Sequence, residues 1–280
     1  MLRGVQIEGT TAVVTGGASG IGRGTALELA RRGADVVLAD IHAERLADTA
    51  EAITALGRRC LPVRCDVTRD ADVEALAAAA FEAFGTVDLV MNNAGIAVLG
   101  PAYRVPMDDW QRILDVNVLG LVRGVRAFVP AMVERGSGYV VNTASIAGVG
   151  AYSWDCAPYI TSKFAAYGYS EALARSLKPL GIGVSVLCPG LVHTNLGEHA
   201  RIAGVPDEHA SSWIHFPPDM AADAVDADAV GPMVCDAVEA ERFTIFTNAN
   251  DAERYRSWRH DIDASLAGAN AAAPSPPRIV

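Results

Sequence analysis

The sequence predicts an α/β fold, a doubly wound parallel sheet of about seven strands with helices on both faces. Three observations predict it. Short apolar runs alternate with longer helical patterns along nearly the whole chain. A glycine-rich turn joins the first apolar run to the first helical pattern. The chain has 280 residues, 51% of them hydrophobic, enough for one sizeable core.

The elements follow in order. Ala12-Val13-Val14 reads as a buried strand, and the Ala- and Leu-rich run from Thr25 to Arg32 as a helix. Asp35-Val36-Val37-Leu38-Ala39 is the second strand. Val87-Asp88-Leu89-Val90-Met91 and Gly183-Val184-Ser185-Val186-Leu187 suit a sheet covered on both sides. In full, strands fall at about 12–15, 35–39, 60–65, 87–91, 138–144, 182–188 and 243–247. Helices fall at about 20–32, 42–56, 70–84, 108–134, 157–180, 226–240 and 251–266. Such alternation implies right-handed crossovers and a single domain over about residues 1–267. The segment at about 193–222 breaks the pattern, and its length suggests a substrate lid carrying Trp213 and Phe216. The Ala- and Pro-rich residues 268–280 read as a disordered tail.

Chemistry concentrates at the carboxyl ends of these strands. The turn Thr15-Gly16-Gly17-Ala18-Ser19-Gly20-Ile21-Gly22 places a helix N-terminus where backbone N–H groups can face a pyrophosphate. Asp40 ends the second strand about 20 residues later, where an acid can bind a ribose diol. Tyr159 and Lys163 lie one helical turn apart, on one face. An ammonium beside a tyrosine stabilises the phenolate, so the pair can act as a proton acceptor with a lowered pKa. The same spacing also suits ordinary surface residues, and Ser145, Asn117 and the glycine turn tip the balance. Ser145 follows a strand and can hydrogen-bond a substrate oxygen. Asn117 sits mid-helix, where Asn is a poor helix former.

Taken together, Thr15-Gly16-x-x-x-Gly20-Ile21-Gly22, Asp66-Val67, Asn92-Asn93-Ala94-Gly95, Asn117, Ser145, Tyr159-x-x-x-Lys163 and Pro189-Gly190 resemble a short-chain dehydrogenase/reductase of the single-domain kind. The resemblance implies a Rossmann-type fold, a nicotinamide cofactor, and catalytic Asn117, Ser145, Tyr159 and Lys163, with Asn117 supporting a proton relay to Lys163. It implies a cofactor site of Gly16, Ser19, Gly20, Ile21, Gly22, Asp40, Asp66, Val67, Asn92, Ala94, Gly95, Tyr159, Lys163, Pro189, Gly190, Val192 and Thr194. Val192 and Thr194 correspond to the carboxamide-binding positions. The loop from Gly148 to Pro158 is slightly long, so Tyr152 and Trp154 are expected to shape the substrate pocket with Ser145, Tyr159, Trp213 and Phe216.

The formal charge of −10 argues against nucleic acid and against an anionic membrane surface. No window shows the roughly 18 apolar residues that span a bilayer. Met1 to Thr10 lacks an apolar core, so no secretory signal is expected. Five cysteines without framework spacing suggest reduced thiols and a cytoplasmic setting. His193, His199, His209 and His215 crowd one segment without ligand spacing, so no metal is expected. Asp40 would repel a 2′-phosphate and Ile41 follows where a base would help NADP, so the cofactor is expected to be NAD. The leading expectation is an NAD-dependent enzyme interconverting a secondary alcohol and a ketone, on an apolar, cyclic or aromatic substrate. The alternatives are an NAD(P)H-dependent carbonyl reductase, an epimerase or dehydratase, and a non-catalytic NAD-binding regulator. Long helices with more than one apolar face suggest a homotetramer, or at least a dimer.

Overall fold

A computed structural model describes residues 6–151, 153, 155–205, 222–262 and 264–265. Apolar runs become strands β1 (Thr11–Thr15), β2 (Asp35–Asp40), β3 (Cys60–Arg64) and β4 (Leu89–Asn92), with a short β5 (Val98–Leu99) after them. Next come β6 (Gly138–Thr143), β7 (Ile182–Cys188), β8 (Val192–His193), β9 (Arg201–Ile202), β10 (Val225–Asp226) and β11 (Thr244–Phe246). The helices are α1 (Gly20–Arg31), α2 (Ala43–Ala55), α3 (Asp70–Phe84), α4 (Met107–Leu114), α5 (Gly120–Arg135), α6 (Ala157–Leu177), α7 (Ala227–Glu239) and α8 (Ala249–His260).

Seven strands form one sheet in the order β11-β7-β6-β4-β1-β2-β3. Every neighbouring pair is parallel. The chain winds outward from β1 to β3, then returns to β4 and winds the other way. The crevice beyond β1 and β4 is therefore the switch point, where such sheets bind ligands.

Both faces of the sheet are buried, which explains the continuous rather than alternating apolar runs. Ala12, Val14, Val36 and Leu38 face α1 and α7, meeting Leu29, Val230 and Val234. Val13, Val37, Val90 and Val140 face α3 and α5, meeting Leu76, Phe128 and Met132. Burying one such side chain contributes about 1.5–3 kcal/mol before entropy is counted. Gly24 and Gly231 let α1 and α7 touch: a Cβ on Gly231 would lie 2.7 Å from the Gly24 carbonyl.

Three departures from the sequence pattern bear on the site. The helix expected at about 108–134 is α4 and α5 joined by a π turn, Asp115–Leu119. That turn inserts a residue that amphipathic spacing does not register. The helix expected to reach 180 ends at Leu177 and tightens into a 3₁₀ turn, Lys178–Leu180, because Pro179 has no N–H to donate. The segment expected as one lid is tied down at both ends. β8 pairs with β10, and β9 pairs with β5. Ladders of two residues are too short to leave a periodic signal. Residues 206–221 of this segment, with Trp213, Phe216, His209 and His215, lie outside the described residues, as does the tail 268–280.

By length and composition the continuous helix Met107–Arg135, 29 residues, is also apolar enough to cross a bilayer, contrary to the sequence expectation. Here Val125, Phe128, Val129 and Met132 spend that apolar surface on the sheet.

Candidate active site

A cleft of about 980 Å³ opens at the switch point, beyond the carboxyl ends of β1, β2, β4, β6 and β7. Its walls carry residues from the glycine turn through Lys163 to Thr194.

At one end, the chain leaves β1 through Gly16, whose φ of 67° suits glycine. A Cβ there would lie 2.9 Å from Asn93 Nδ2. Gly22 does not line the cleft. A Cβ on it would lie 2.1 Å from the Gly16 carbonyl, so Gly22 closes the turn onto α1. Ser19 precedes α1, which has neither a side-chain cap nor an acidic residue in its first turn. In contrast, α2, α3 and α4 each carry an acid there. The positive end of α1 is thus left for an outside anion, directly at Ser19, Gly20 and Ile21. Thr194 packs closely on Gly20, where a Cβ would lie only 3.2 Å from the Thr194 side chain.

Asp40 projects from the end of β2. Its carboxylate accepts from Ala18 N–H at 3.2 Å and from His42 N–H at 3.1 Å, which fixes it to the glycine turn. Asp66 and Val67 line the same end. Burial raises the Asp66 pKa, but hydrogen bonds from Thr68 N–H (3.0 Å) and Thr68 Oγ1 (2.7 Å), with Arg69 and Arg64 nearby, hold it below the ordinary value. The carboxylate therefore stays ionised.

Asn92 is not placed as expected. Its side chain is buried below the cleft and donates to Asn142 Oδ1 at 2.9 Å, and Asn142 donates to Ser170 Oγ at 3.0 Å. Strand alternation turns Asn92 inward and Asn93 to the cleft. Asn93 knits three strand ends together, donating to the Thr15 carbonyl at 3.1 Å and accepting from Thr143 Oγ1 at 3.2 Å. Ala94 and Gly95 continue the cleft wall. Sequence reasoning missed Asn93, although it stood in the same motif; the period of two was the available signal.

The catalytic candidates converge at the other end. Ser145 is buried in extended conformation beyond β6, accepts from Ala147 N–H at 3.1 Å, and its Oγ lies 3.4 Å from the Pro189 carbonyl. Tyr159 stands in the first turn of α6 and shares a hydrogen bond with Ser145. Lys163 follows one turn later, buried, its Nζ 5.6 Å from the centre of the Tyr159 ring and donating to the Thr143 carbonyl at 3.1 Å. Asn117 occupies the π turn, accepting from Ile96 N–H at 2.8 Å and donating to the Ile96 carbonyl at 2.9 Å and Ser162 Oγ at 3.0 Å. Ser162, also missed, donates to the Tyr159 carbonyl at 2.8 Å and so links Asn117 to α6. Asn117 and Lys163 both border Gly95, where a Cβ would lie 3.3 Å from Asn117 Oδ1 and 3.5 Å from Lys163 Nζ.

The expected lowering of the Tyr159 pKa is corrected by this geometry. Burial pushes the phenol up to about 12, against the opposing hydrogen bond from Ser145. Burial likewise pulls Lys163 down to about 8. Desolvation is the largest cause for both groups, where the single-turn spacing alone had suggested that the ammonium would dominate.

Among the described residues, small or apolar Ala97, Leu99, Ala147, Cys156, Leu196 and Ala200 border the cleft, together with polar Arg112, Ser153, His193 and Asn195. Three loops there are joined through the main chain. Arg201 N–H donates to Ala97 O at 3.0 Å, Ala203 N–H to Leu99 O at 2.8 Å, and Gly100 N–H to Asp155 O at 2.6 Å. Tyr152 and Trp154 lie outside the described residues. Pro189, Gly190, Val192 and Thr194 form the loop beyond β7 that closes the cleft between its two ends.

These residues fit a dinucleotide: an uncapped helix end for phosphates, a fixed carboxylate for a ribose, and a proton-transfer group at the far end. The short chain dehydrogenase family model matches residues 10–203. The chain is 41% identical over 188 residues to the probable oxidoreductase EphD of Mycobacterium tuberculosis, covering 67% of this chain but 32% of that protein, so it spans about a third of that relative. Over 266 residues it is 37% identical to the 1-deoxy-11-beta-hydroxypentalenate dehydrogenase of Streptomyces avermitilis, covering 91% of this chain and 93% of that one. Its structure is similar to a short chain dehydrogenase/reductase from Burkholderia phymatum in complex with NAD, with a TM-score of 0.81, 31% identity, and 99% and 100% of the two chains covered. A family match over most of the chain, joined to overlap with an NAD-bound member along its full length, makes this chain a member of the short-chain dehydrogenase family.

Proposed function

We propose that this chain is an oxidoreductase that uses NAD to interconvert a secondary alcohol and a ketone on a largely apolar substrate. One observation carries the reading: Asp40 and the hydrogen-bonded Tyr159–Ser145 pair stand at opposite ends of one cleft. The relative from Streptomyces avermitilis, named for dehydrogenating a hydroxylated substrate, supports the reaction class. The NAD complex of the Burkholderia protein supports the cofactor.

When bound, NAD supplies the hydride acceptor. In oxidation Tyr159 would take the hydroxyl proton as its phenolate, its own proton having first left to solvent, while Ser145 holds the same oxygen; in reduction the neutral phenol would give its proton to that oxygen. Lys163 and Asn117 set the tyrosine in place, through the Thr143 carbonyl and through Ser162. Asp40 holds the adenosine ribose, and Val192 and Thr194 the nicotinamide carboxamide. Arg23 and Arg45 border a groove on the outer side of the glycine turn, which they share with Asp226 and Asp228. Asp40 lines the cleft, with Ile41 and His42 after it, and its carboxylate supports the reading of Asp40 as the selector between NAD and NADP.

The raised pKa of Tyr159 favours a second reading, a carbonyl reductase, because a phenol held neutral is a ready proton donor. A panel of secondary alcohols with NAD, and of the matching ketones with NADH and NADPH, separates the two by absorbance of the reduced nicotinamide. Oxidation with NAD is expected. Turnover only of ketones with NADPH would overturn the proposal.

A further inference from the structure

The loop that closes the cleft, Pro189 to Thr194, is held from below by residues distant in sequence. Gly190 N–H donates to Thr247 Oγ1 at 3.0 Å. The Asp251 carboxylate lies directly beneath Gly190, where a Cβ on Gly190 would come within 2.3 Å of Asp251 Oδ2. Two residues on, β8 pairs with β10, Val192 against Val225 and His193 against Asp226. Val225 N–H also donates to the Leu191 carbonyl at 3.0 Å. The loop therefore rests on Asp251 and leans on β10.

A single side chain joins these two supports. Arg254 Nη1 donates to Asp251 Oδ1 at 3.0 Å, and Arg254 Nη2 donates to Asp223 Oδ2 at 3.3 Å. Asp223 lies two residues before β10 and also receives Asn250 Nδ2 at 2.9 Å and 3.1 Å. Asp251 is 1% exposed, and its other oxygen accepts from Asn248 Nδ2 at 2.7 Å. A buried carboxylate needs a countercharge. Among the ion pairs of the described residues, Arg254 supplies it. Burial raises the Asp251 pKa and Arg254 opposes the rise. The planar guanidinium reaches two carboxylates at once, which a single ammonium on a flexible stem does poorly.

We propose that Arg254 is a positioning residue for the nicotinamide end of the cofactor site, acting through Asp251 and Asp223 on the loop that carries Val192 and Thr194. The inference rests on the reading of those two residues as carboxamide-binding. Its signature is selective: the Asp40 carboxylate at the adenosine end is fixed by Ala18 N–H and His42 N–H, without Arg254, Asp251 or Asp223.

The test is calorimetric titration of the intact protein with NAD and with ADP-ribose, which lacks the nicotinamide. Arg254→Met should weaken NAD binding about tenfold and ADP-ribose binding less than about twofold, with Arg254→Lys in between. Asp223→Asn, which leaves the Arg254–Asp251 pair whole, should show the same selectivity at about threefold, and it stands in if Arg254→Met does not fold. Equal weakening of both ligands, or no weakening, in either variant overturns the inference while the cofactor reading stands. A parent protein that binds ADP-ribose but not NAD overturns the cofactor reading itself.

Discussion

Replacing Asp40 by Asn removes one charge while keeping an oxygen for one of the two main-chain hydrogen bonds. In the parent the carboxylate is gripped by Ala18 N–H and His42 N–H, so it cannot swing far from an incoming 2′-phosphate. At an approach of about 4 Å, a unit charge pair costs about 4 kcal/mol at an effective dielectric constant of about 20. Asp40 is partly exposed, so solvent screening reduces this to about 2–3 kcal/mol even for a dianionic phosphate. That corresponds to a preference for NAD of about 10²-fold. The Asn variant should lose most of it, by weakening NAD and admitting NADP. Adding Ile41→Arg, at a site 51% exposed, then offers the phosphate a partner and shifts preference further toward NADP. The assay is kcat/KM with each cofactor for the parent, the single and the double variant. A parent that prefers NADP, or an Asn variant whose ratio moves by less than about threefold, refutes the electrostatic reasoning.

Tyr159→Phe should lower turnover about 10²-fold or more with NAD binding intact, and near-normal turnover would remove Tyr159 from the proton step. Lys163 is held at about 8, below its ordinary 10.5, so the folded state favours the neutral amine. The stability this contributes is present above pH 10.5 and is lost as pH falls through about 8. Urea melts should therefore show Lys163→Met gaining on the parent as pH falls from about 10 to 8, by up to about 3 kcal/mol, then levelling; a pH-independent gap would contradict it. We expect a homotetramer, or at least a dimer, because Leu119, Val133 and Phe164 leave apolar surface exposed on the long helices. A monomeric mass by light scattering at micromolar concentration would contradict that. Phe128→Ala should cost about 3–5 kcal/mol in the same melts, since Phe128 is buried between α3 and the sheet, and a loss under about 1 kcal/mol would show that the site relaxes.

All seven strands of the main sheet were legible because each holds a short apolar run, bounded in the clearest cases by glycine or acid, as with Val13-Val14 before Gly16 and Val36 to Ala39 before Asp40. Tyr159, Lys163 and Ser145 were legible from spacing, since one helical turn and one strand end determine where they stand. The protonation of Tyr159 was not, because burial is a property of the assembled wall and not of a four-residue interval. Asn117 was legible as an oddity in a helix, but the π turn that accommodates it was not, since one inserted residue leaves the neighbouring apolar pattern intact. Asn92 and Asn93 were told apart only by the sheet, and the Arg254 network joins residues too far apart in the chain for any local pattern to reveal.

The main-chain lacing of the wall beside Tyr159 has a consequence for how this pocket can be re-cut. Backbone hydrogen bonds such as Arg201 N–H to Ala97 O do not depend on which side chain the residue carries. Ala97, Leu99 and Ala200 can therefore exchange bulk for room without unlacing the loops, and substitution libraries at these three positions would recontour the cavity on a fixed frame. Gly100 is the opposite case: at a φ of 144°, with a Cβ that would fall 2.1 Å from the Ala203 carbonyl, it tolerates no side chain. The frame turns on Gly100, and the shape of the pocket can be changed at its neighbours.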